Sequence, residues 1–141
     1  MTFWKSASEP NILTAKAFVT SVLAISEEGL RPILAPPCLD NYGFDSSQLD
    51  TYIQSDTKAI MPVHMCGSMA NLNALQEICE SNNLTLIEDA CQAIGGTYNG
   101  KYLGTIGDVG CFSFDFVKTV TCGEGGAIIT NSKNLAIKAD L

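Results

Sequence analysis

Leu84-Thr85-Leu86-Ile87-Glu88-Asp89 is the stretch from which the fold is read. Leu84 to Ile87 is an apolar run that ends in two carboxylates, the pattern of a central parallel strand delivering acidic residues to its C-terminal edge. Immediately upstream, Leu72, Leu75, Ile78 and Cys79 recur at i, i+3, i+6 and i+7, which places them on one face of a helix. Asn71 caps that helix and Asn82-Asn83 ends it. A helix leading into a buried strand is the repeating unit of a layered α/β sheet.

The same alternation extends in both directions. Towards the N-terminus, Lys58 to Val63 reads as a buried strand, and Asp45-Ser46-Ser47 caps a helix that carries Leu49, Tyr52 and Ile53 on one face. Pro32 to Ala35 is a strand stopped by Pro36-Pro37, and Thr20 to Glu28 suits a helix ending at Gly29. Ile12 to Thr14 is a short apolar piece. Residues 1 to 11 carry no usable period, with Pro10-Asn11 as punctuation, and read as an exposed start. Towards the C-terminus, Tyr98-Asn99-Gly100-Lys101-Tyr102 holds the Asn-Gly turn of a hairpin. Strands at Gly110 to Phe114 and Ala127 to Thr130 flank a loop containing Lys118, and Ser132 caps a last helix. Gly123-Glu124-Gly125-Gly126 leads into a strand rather than a helix, so it reads as a turn and not as a phosphate-binding loop. The expected fold class is α/β, a mostly parallel mixed sheet with flanking helices in a single domain over residues 1–141.

Composition narrows the function. Of 141 residues, 15 are Asp or Glu and 8 are Lys or Arg, a net charge of −7 that excludes a generic nucleic-acid binder. Hydrophobic residues make up 46% and charged residues 16%, enough to fill a core and far from the composition of disorder. The mean hydropathy of +0.16 suggests apolar surface meant for a partner or for missing chain. Six cysteines, at 38, 66, 79, 91, 111 and 122, form no C-x-x-C pair and have only His64 to complement them, so no metal site is expected. They read as buried or half-buried cytosolic thiols. The apolar stretch Ala17 to Ile25 is interrupted by Thr20 and Ser21 and stops at Glu27-Glu28, too short to cross a bilayer. The expectation is a cytoplasmic protein with no membrane or nucleic-acid partner.

In open α/β sheets, ligands gather at the carboxyl ends of the strands. The polar residues expected there are Glu88, Asp89 and Gln92, then Ser113 and Asp115, then Lys118. Phe112, Phe114, Phe116 and Val117 place Lys118 in an apolar setting, where desolvation lowers an amine's pKa and makes it a competent Schiff-base nucleophile. Asp89 on the adjacent edge could hold the ring nitrogen of a pyridine, turning the ring into an electron sink. The plainer alternatives are a solvated surface lysine and a helix-capping aspartate.

Residues 57 to 131, and more weakly 12 to 56, resemble the DegT/DnrJ/StrS family of pyridoxal-phosphate sugar aminotransferases, of the aspartate-aminotransferase fold type I. The matching pieces, in order, are Pro62-Val63-His64-Met65-Cys66-Gly67, Ile87-Glu88-Asp89-Ala90-Cys91-Gln92-Ala93, Gly104-Thr105-Ile106-Gly107-Asp108, Cys111-Phe112-Ser113-Phe114, Lys118 and Gly123-Glu124-Gly125-Gly126-Ala127. The resemblance implies pyridoxal 5'-phosphate as cofactor. Lys118 would bind it as a Schiff base and later shuttle protons, Asp89 would pair with the pyridine nitrogen, Gln92 with the phenolic oxygen and Ser113 with the phosphate. All four are expected to converge on one pocket at the C-terminal edge of the sheet. His64 lies in a recurring family motif and is expected to be structural.

The implied reaction is transfer of an amino group, from glutamate, onto a ketone of a nucleotide-linked sugar. The implied assembly is a homo-oligomer, a dimer in the family. Two departures stand out: Pro36-Pro37-Cys38-Leu39-Asp40 replaces the usual acidic strand ending, and neither the family's upstream Gly-Thr helix start and ring-stacking aromatic nor its C-terminal small domain is found in the chain. The chain is therefore expected to be a partial large domain, inactive alone. The alternatives are a catalytically dead, self-associating fragment and a non-aminating sugar dehydratase relative; Lys118 speaks against the latter, which carries His at that position.

Overall fold

The computed structural model describes residues 10–14, 19–39 and 43–139, the first of these segments as backbone only. Strands β1 (Pro10–Thr14), β2 (Arg31–Ala35), β3 (Ala59–Met61), β4 (Thr85–Asp89), β7 (Val109–Ser113) and β8 (Gly126–Ile129) form one sheet in the order β2-β1-β3-β4-β7-β8. The pairings β1–β2, β1–β3, β3–β4 and β4–β7 are parallel, and β7–β8 is antiparallel. A second, two-stranded sheet is the hairpin of β5 (Thr97–Tyr98) and β6 (Lys101–Tyr102). The Asn-Gly turn is realised there, with Asn99 at φ 50° and Gly100 at φ 79°, the left-handed pair that a two-residue hairpin loop demands.

Three helices complete the described chain: α1 (Val19–Glu27), α2 (Leu72–Asn82) and α3 (Lys133–Ala139). In α2 the Asn71 side chain accepts a hydrogen bond from Ala74 N at 3.2 Å, and Asn83 terminates the helix in the left-handed region at φ 54°. Leu72, Leu75 and Cys79 of α2 are buried against Ile60 of β3 and Leu86 of β4, in a core that also takes in Phe44, Leu49 and Leu103. The opposite face of the sheet carries α1, whose smaller cluster joins Ile25 and Leu30 to Val22 and Met61. No helix among the described residues is long and apolar enough to cross a membrane.

Three expectations are corrected. Pro10 and Asn11 do not punctuate a loop but open β1, which pairs on both sides; proline at the first residue of a strand is compatible with the ladder. Leu49 to Tyr52 forms one 3-10 turn in place of the expected helix. Asp45 organises the chain ahead of this turn, accepting hydrogen bonds from Ser47 and Gln48, and the backbone is already extended again at Ile53. The six cysteines are all free, but Cys66 and Cys122 are exposed rather than buried. Each of those two precedes a glycine of positive φ in a strand-end loop, where the chain turns away from the core.

Among the described glycines the tightest position is Gly110 on β7, where an added Cβ would overlap the Gly104 carbonyl. Neither partner is a flexible side-chain end, so the clash is relieved only by moving β7 or the segment carrying Gly104. Gly110→Ala is expected to lower stability by about 1–3 kcal/mol, the usual cost of overpacking. Urea unfolding checks this: an unchanged midpoint would show that the approach is not rigid.

Candidate active site

The pleat of β4 separates its two terminal carboxylates, because successive side chains leave a strand on opposite faces. Glu88 points with Leu86 into the core and is completely buried. Its Oε1 accepts from Ile106 N at 2.6 Å and Gly107 N at 2.7 Å; its Oε2 accepts from Gly104 N at 2.9 Å and lies 2.9 Å from Nε2 of the equally buried His64. Burial pushes the Glu88 carboxyl up, but the hydrogen bonds from His64 and from the backbone of Gly107, Gly104 and Ile106 outweigh it, and the net displacement is downward. His64 thus ties the end of β3 to β4 as a structural residue, its other ring nitrogen, Nδ1, having no hydrogen-bond partner among the described residues.

A carboxyl whose pKa is depressed on folding contributes stability above its unfolded value, near 4.5, and loses that contribution as pH falls through the lower folded value. The denaturation midpoint is therefore expected to fall steeply on acidification below about pH 4.5. A Glu88→Gln chain should show a flatter acid limb, and an unaltered limb would remove Glu88 as its source.

Asp89 leaves β4 on the other face and is half-buried at the C-terminal edge. Its Oδ2 accepts a hydrogen bond from Ser21 Oγ at 2.7 Å and its Oδ1 accepts from Cys91 N at 3.2 Å. A carboxylate has about four acceptor positions, so capacity remains for a further donor. Its backbone is fixed on both sides: Asp89 N donates to Pro62 O at 2.9 Å, and His64 N donates to Asp89 O at 3.0 Å. Gln92 follows in the loop after β4, and its Oε1 accepts from Cys66 N at 3.2 Å. That bond holds Cys66 at φ 54°, an uncommon conformation for a residue with a side chain.

Ser113 is the last residue of β7, the strand that runs parallel beside β4, and its Oγ accepts from Asp115 N at 3.4 Å. Asp115 then shapes the turn that carries Lys118: its carbonyl accepts from Lys118 N at 2.9 Å, and its Oδ1 accepts from Val117 N at 3.2 Å. Bonds from Phe114 N to Gly125 O and from Cys122 N to Phe114 O close the base of this loop. The loop glycines behave as turn formers, with φ of 90° at Gly123 and 144° at Gly125.

Lys118 is half-buried, and its charge reaches the Cys91 thiol, two residues beyond Asp89. Burial chiefly pushes that thiol up, to about 12; Asp89 reinforces the shift and the Lys118 ammonium opposes it. The four residues Asp89, Gln92, Ser113 and Lys118 thus belong to the ends of two adjacent parallel strands and the loops that follow them. The expected apolar setting of Lys118 is only partly present: Phe116 and Val117 are 72% and 68% exposed. A broad hollow of about 1030 Å³ lies elsewhere, over β7, β8 and α3, and none of the four residues lines it.

Two features escaped the sequence. Ser21 was placed in a helix but not at the site, although it sits four residues before Ile25 and hence on the same buried face. The terminal carboxylates Glu88 and Asp89 read together as edge residues, whereas strand alternation from Leu86 assigns them to opposite faces.

The sheet and its flanking helices match part of the fold of solved aminotransferases. The aminotransferase from Psychrobacter cryohalolentis superposes with a TM-score of 0.85 at 29% identity, over 90% of this chain and 32% of that one. The chain belongs to the DegT/DnrJ/EryC1/StrS aminotransferase family, whose sequence profile matches residues 7–141. It is 38% identical over 130 residues to GDP-perosamine synthase of Caulobacter vibrioides, covering 92% of this chain and 35% of the relative. It is 40% identical over 126 residues to the dTDP-3-amino-3,6-dideoxy-alpha-D-galactopyranose transaminase of Aneurinibacillus thermoaerophilus, covering 89% and 35%. The chain spans about a third of the length of these curated relatives.

A solved structure of the same fold, the E. coli GDP-4-keto-6-deoxy-D-mannose-3-dehydratase (TM-score 0.81, 28% identity, over 89% of this chain and 32% of that one), holds hydrated pyridoxal 5'-phosphate. The donor set on the edge fits that group in kind: a carboxylate with spare acceptor capacity for a protonated ring nitrogen, an amide, a hydroxyl and a primary amine.

Proposed function

We propose that this chain forms the cofactor-bearing part of an aminotransferase that moves an amino group from glutamate to a keto-sugar linked to a nucleotide, acting in the cytoplasm as a homodimer. Family membership supports the reaction class, and the names of relatives that make GDP- and dTDP-linked amino sugars support the substrate class. The observation that carries the reading is the placement of Asp89 and the Lys118 loop at the ends of neighbouring parallel strands.

When bound, pyridoxal 5'-phosphate supplies an electron sink for the bonds around the amino-bearing carbon. Asp89, oriented by Ser21 and by the Cys91 amide, holds a proton on the ring nitrogen. Gln92 is positioned by Cys66 to donate its amide N–H to the phenolic oxygen. Ser113 donates its hydroxyl to the phosphate. Lys118, on its tied loop, would supply the amine that holds the group and would serve as the proton carrier during transfer. The test is the visible absorbance of the purified chain on addition of the cofactor; a chain that stays colourless at saturating cofactor overturns the reading.

Self-association draws support from apolar side chains left in solvent, among them Phe116 and Val117 beside the site and Ile137, which is 61% exposed. Sedimentation is expected to give a mass of twice 15.0 kDa. A monomer at high concentration would remove this part of the proposal.

A further inference from the structure

Helix α1 is poorly provided for by its own sequence. Its first turn holds no acidic residue and its last turn no basic one, so its own side chains leave the helix dipole unanswered. The apolar cluster that seats it is small: Ile25 and Leu30 are buried, with Val22 and Met61 partly buried against them, while Val19 and Leu23 are exposed. Ser21, in the first turn, is nevertheless only 5% exposed. Its Oγ donates to Asp89 Oδ2 at 2.7 Å, the length of a charge-assisted O–H···O bond. Asp89 thereby brings to the start of α1 the carboxylate that the helix itself lacks. Ser26, in the same helix, bonds locally instead, to Val22 O at 3.1 Å.

The same bond acts on Asp89. A carboxylate at a strand end has two side-chain torsions to fix before it faces one direction, and each ordered side chain costs conformational entropy. The Cys91 N–H, two residues on, holds Oδ1 at 3.2 Å, a contact that moves with the loop after β4. Ser21 holds the other oxygen from a separate element, and anchors on both oxygens fix the plane of the group. A carboxylate already fixed binds a further donor without having to be ordered first.

We propose that Ser21 is a positioning residue for Asp89: its hydroxyl fixes the carboxylate plane that a cofactor ring nitrogen meets, and the same bond fastens the first turn of α1 to the end of β4. The first half rests on the cofactor reading of Asp89, and the second does not, so two measurements separate them. In the cofactor-free chain, a double-mutant cycle of Ser21→Ala and Asp89→Ala is read from urea midpoints. The double variant is expected to lose clearly less than the sum of the single losses, and additive losses would overturn the tie between α1 and β4. With pyridoxal 5'-phosphate, the dissociation constant is read from visible absorbance. Ser21→Ala is expected to bind several-fold more weakly, up to about tenfold, which is what one side chain left to be ordered on binding is worth. Ser21→Thr keeps the hydroxyl and Ser21→Val replaces it by a methyl of nearly the same shape, so any crowding affects both alike and their difference reads the hydroxyl alone. Thr is expected to bind more tightly than Val by a similar factor. Equal affinities for Thr and Val, or a Ser21→Ala chain that binds as tightly as the unsubstituted one, would overturn the positioning role. An unsubstituted chain that takes up no cofactor would overturn the role of Asp89 itself, and the cycle would still decide whether Ser21 ties α1 to β4.

Discussion

Replacing Lys118 with alanine is expected to abolish the visible absorbance that the chain gains with pyridoxal 5'-phosphate, and with it any amino transfer. The loss should be complete rather than graded, because Lys118 is held by a loop whose base is closed by Phe114, Cys122 and Gly125, at the end of the strand beside Asp89. Borohydride reduction followed by peptide mapping makes the test specific. In the unsubstituted chain the reduced cofactor is expected on the peptide containing Lys118 and not on exposed lysines such as Lys101. The fold should survive, since a loop side chain contributes little packing, and the far-ultraviolet spectrum of the variant checks this. Labelling spread evenly over the lysines, or absorbance retained by Lys118→Ala, would show that the amine at this edge is not the one that binds.

Glu88→Ala is expected to have the largest effect on stability. It removes the acceptor for three backbone N–H groups, those of Gly104, Ile106 and Gly107, and leaves Nε2 of the fully buried His64 without its partner. Leaving a buried donor without its acceptor costs about 1–3 kcal/mol, and three backbone donors lose theirs here, against about 5–15 kcal/mol for the whole stability of a typical domain. Glu88→Ala is thus expected to be largely unfolded at moderate urea, where the unsubstituted chain is still native. Glu88→Gln is the informative companion. Its carbonyl oxygen can keep the bonds from Ile106 and Gly107, but its NH2 then faces the Gly104 N–H, a clash of two donors. An intermediate loss is expected for Gln, and equal losses for Ala and Gln would show that the negative charge, rather than the acceptor geometry, is what the site requires.

Much of the fold is legible in local pattern. The 3.6-residue stripe of Leu72, Leu75 and Cys79 with its Asn71 cap, the Asn-Gly turn and the apolar strands each follow from forces acting within a few residues. Where local pattern misled, it was short and isolated. Leu49, Tyr52 and Ile53 are too few to hold a helix whose buried contact is Leu49 alone, and Pro10-Asn11 reads as a break unless two flanking strands are already in place. At the site, the residue types and their strand-end positions were readable, but the exposure of Phe116 and Val117 was not, because an aromatic run carries no statement of what packs against it.

By itself, then, the sequence determined the alternation of helix and strand, the family, and the set of polar residues offered at the C-terminal edge. The tertiary structure alone decided how those residues are used. Strand alternation puts Glu88 and Asp89 on opposite faces, but only the sheet order and the side on which α2 packs make Glu88 the buried hub and Asp89 the edge carboxylate. Ser21 reaches Asp89 across 68 residues because the first turn of α1 comes to the C-terminal end of β4, a contact with no local signature. The physical reason is the same in each case: periodicity is set by backbone geometry and is written locally, whereas the partner of each face is set by long-range packing, which no short stretch of chain encodes.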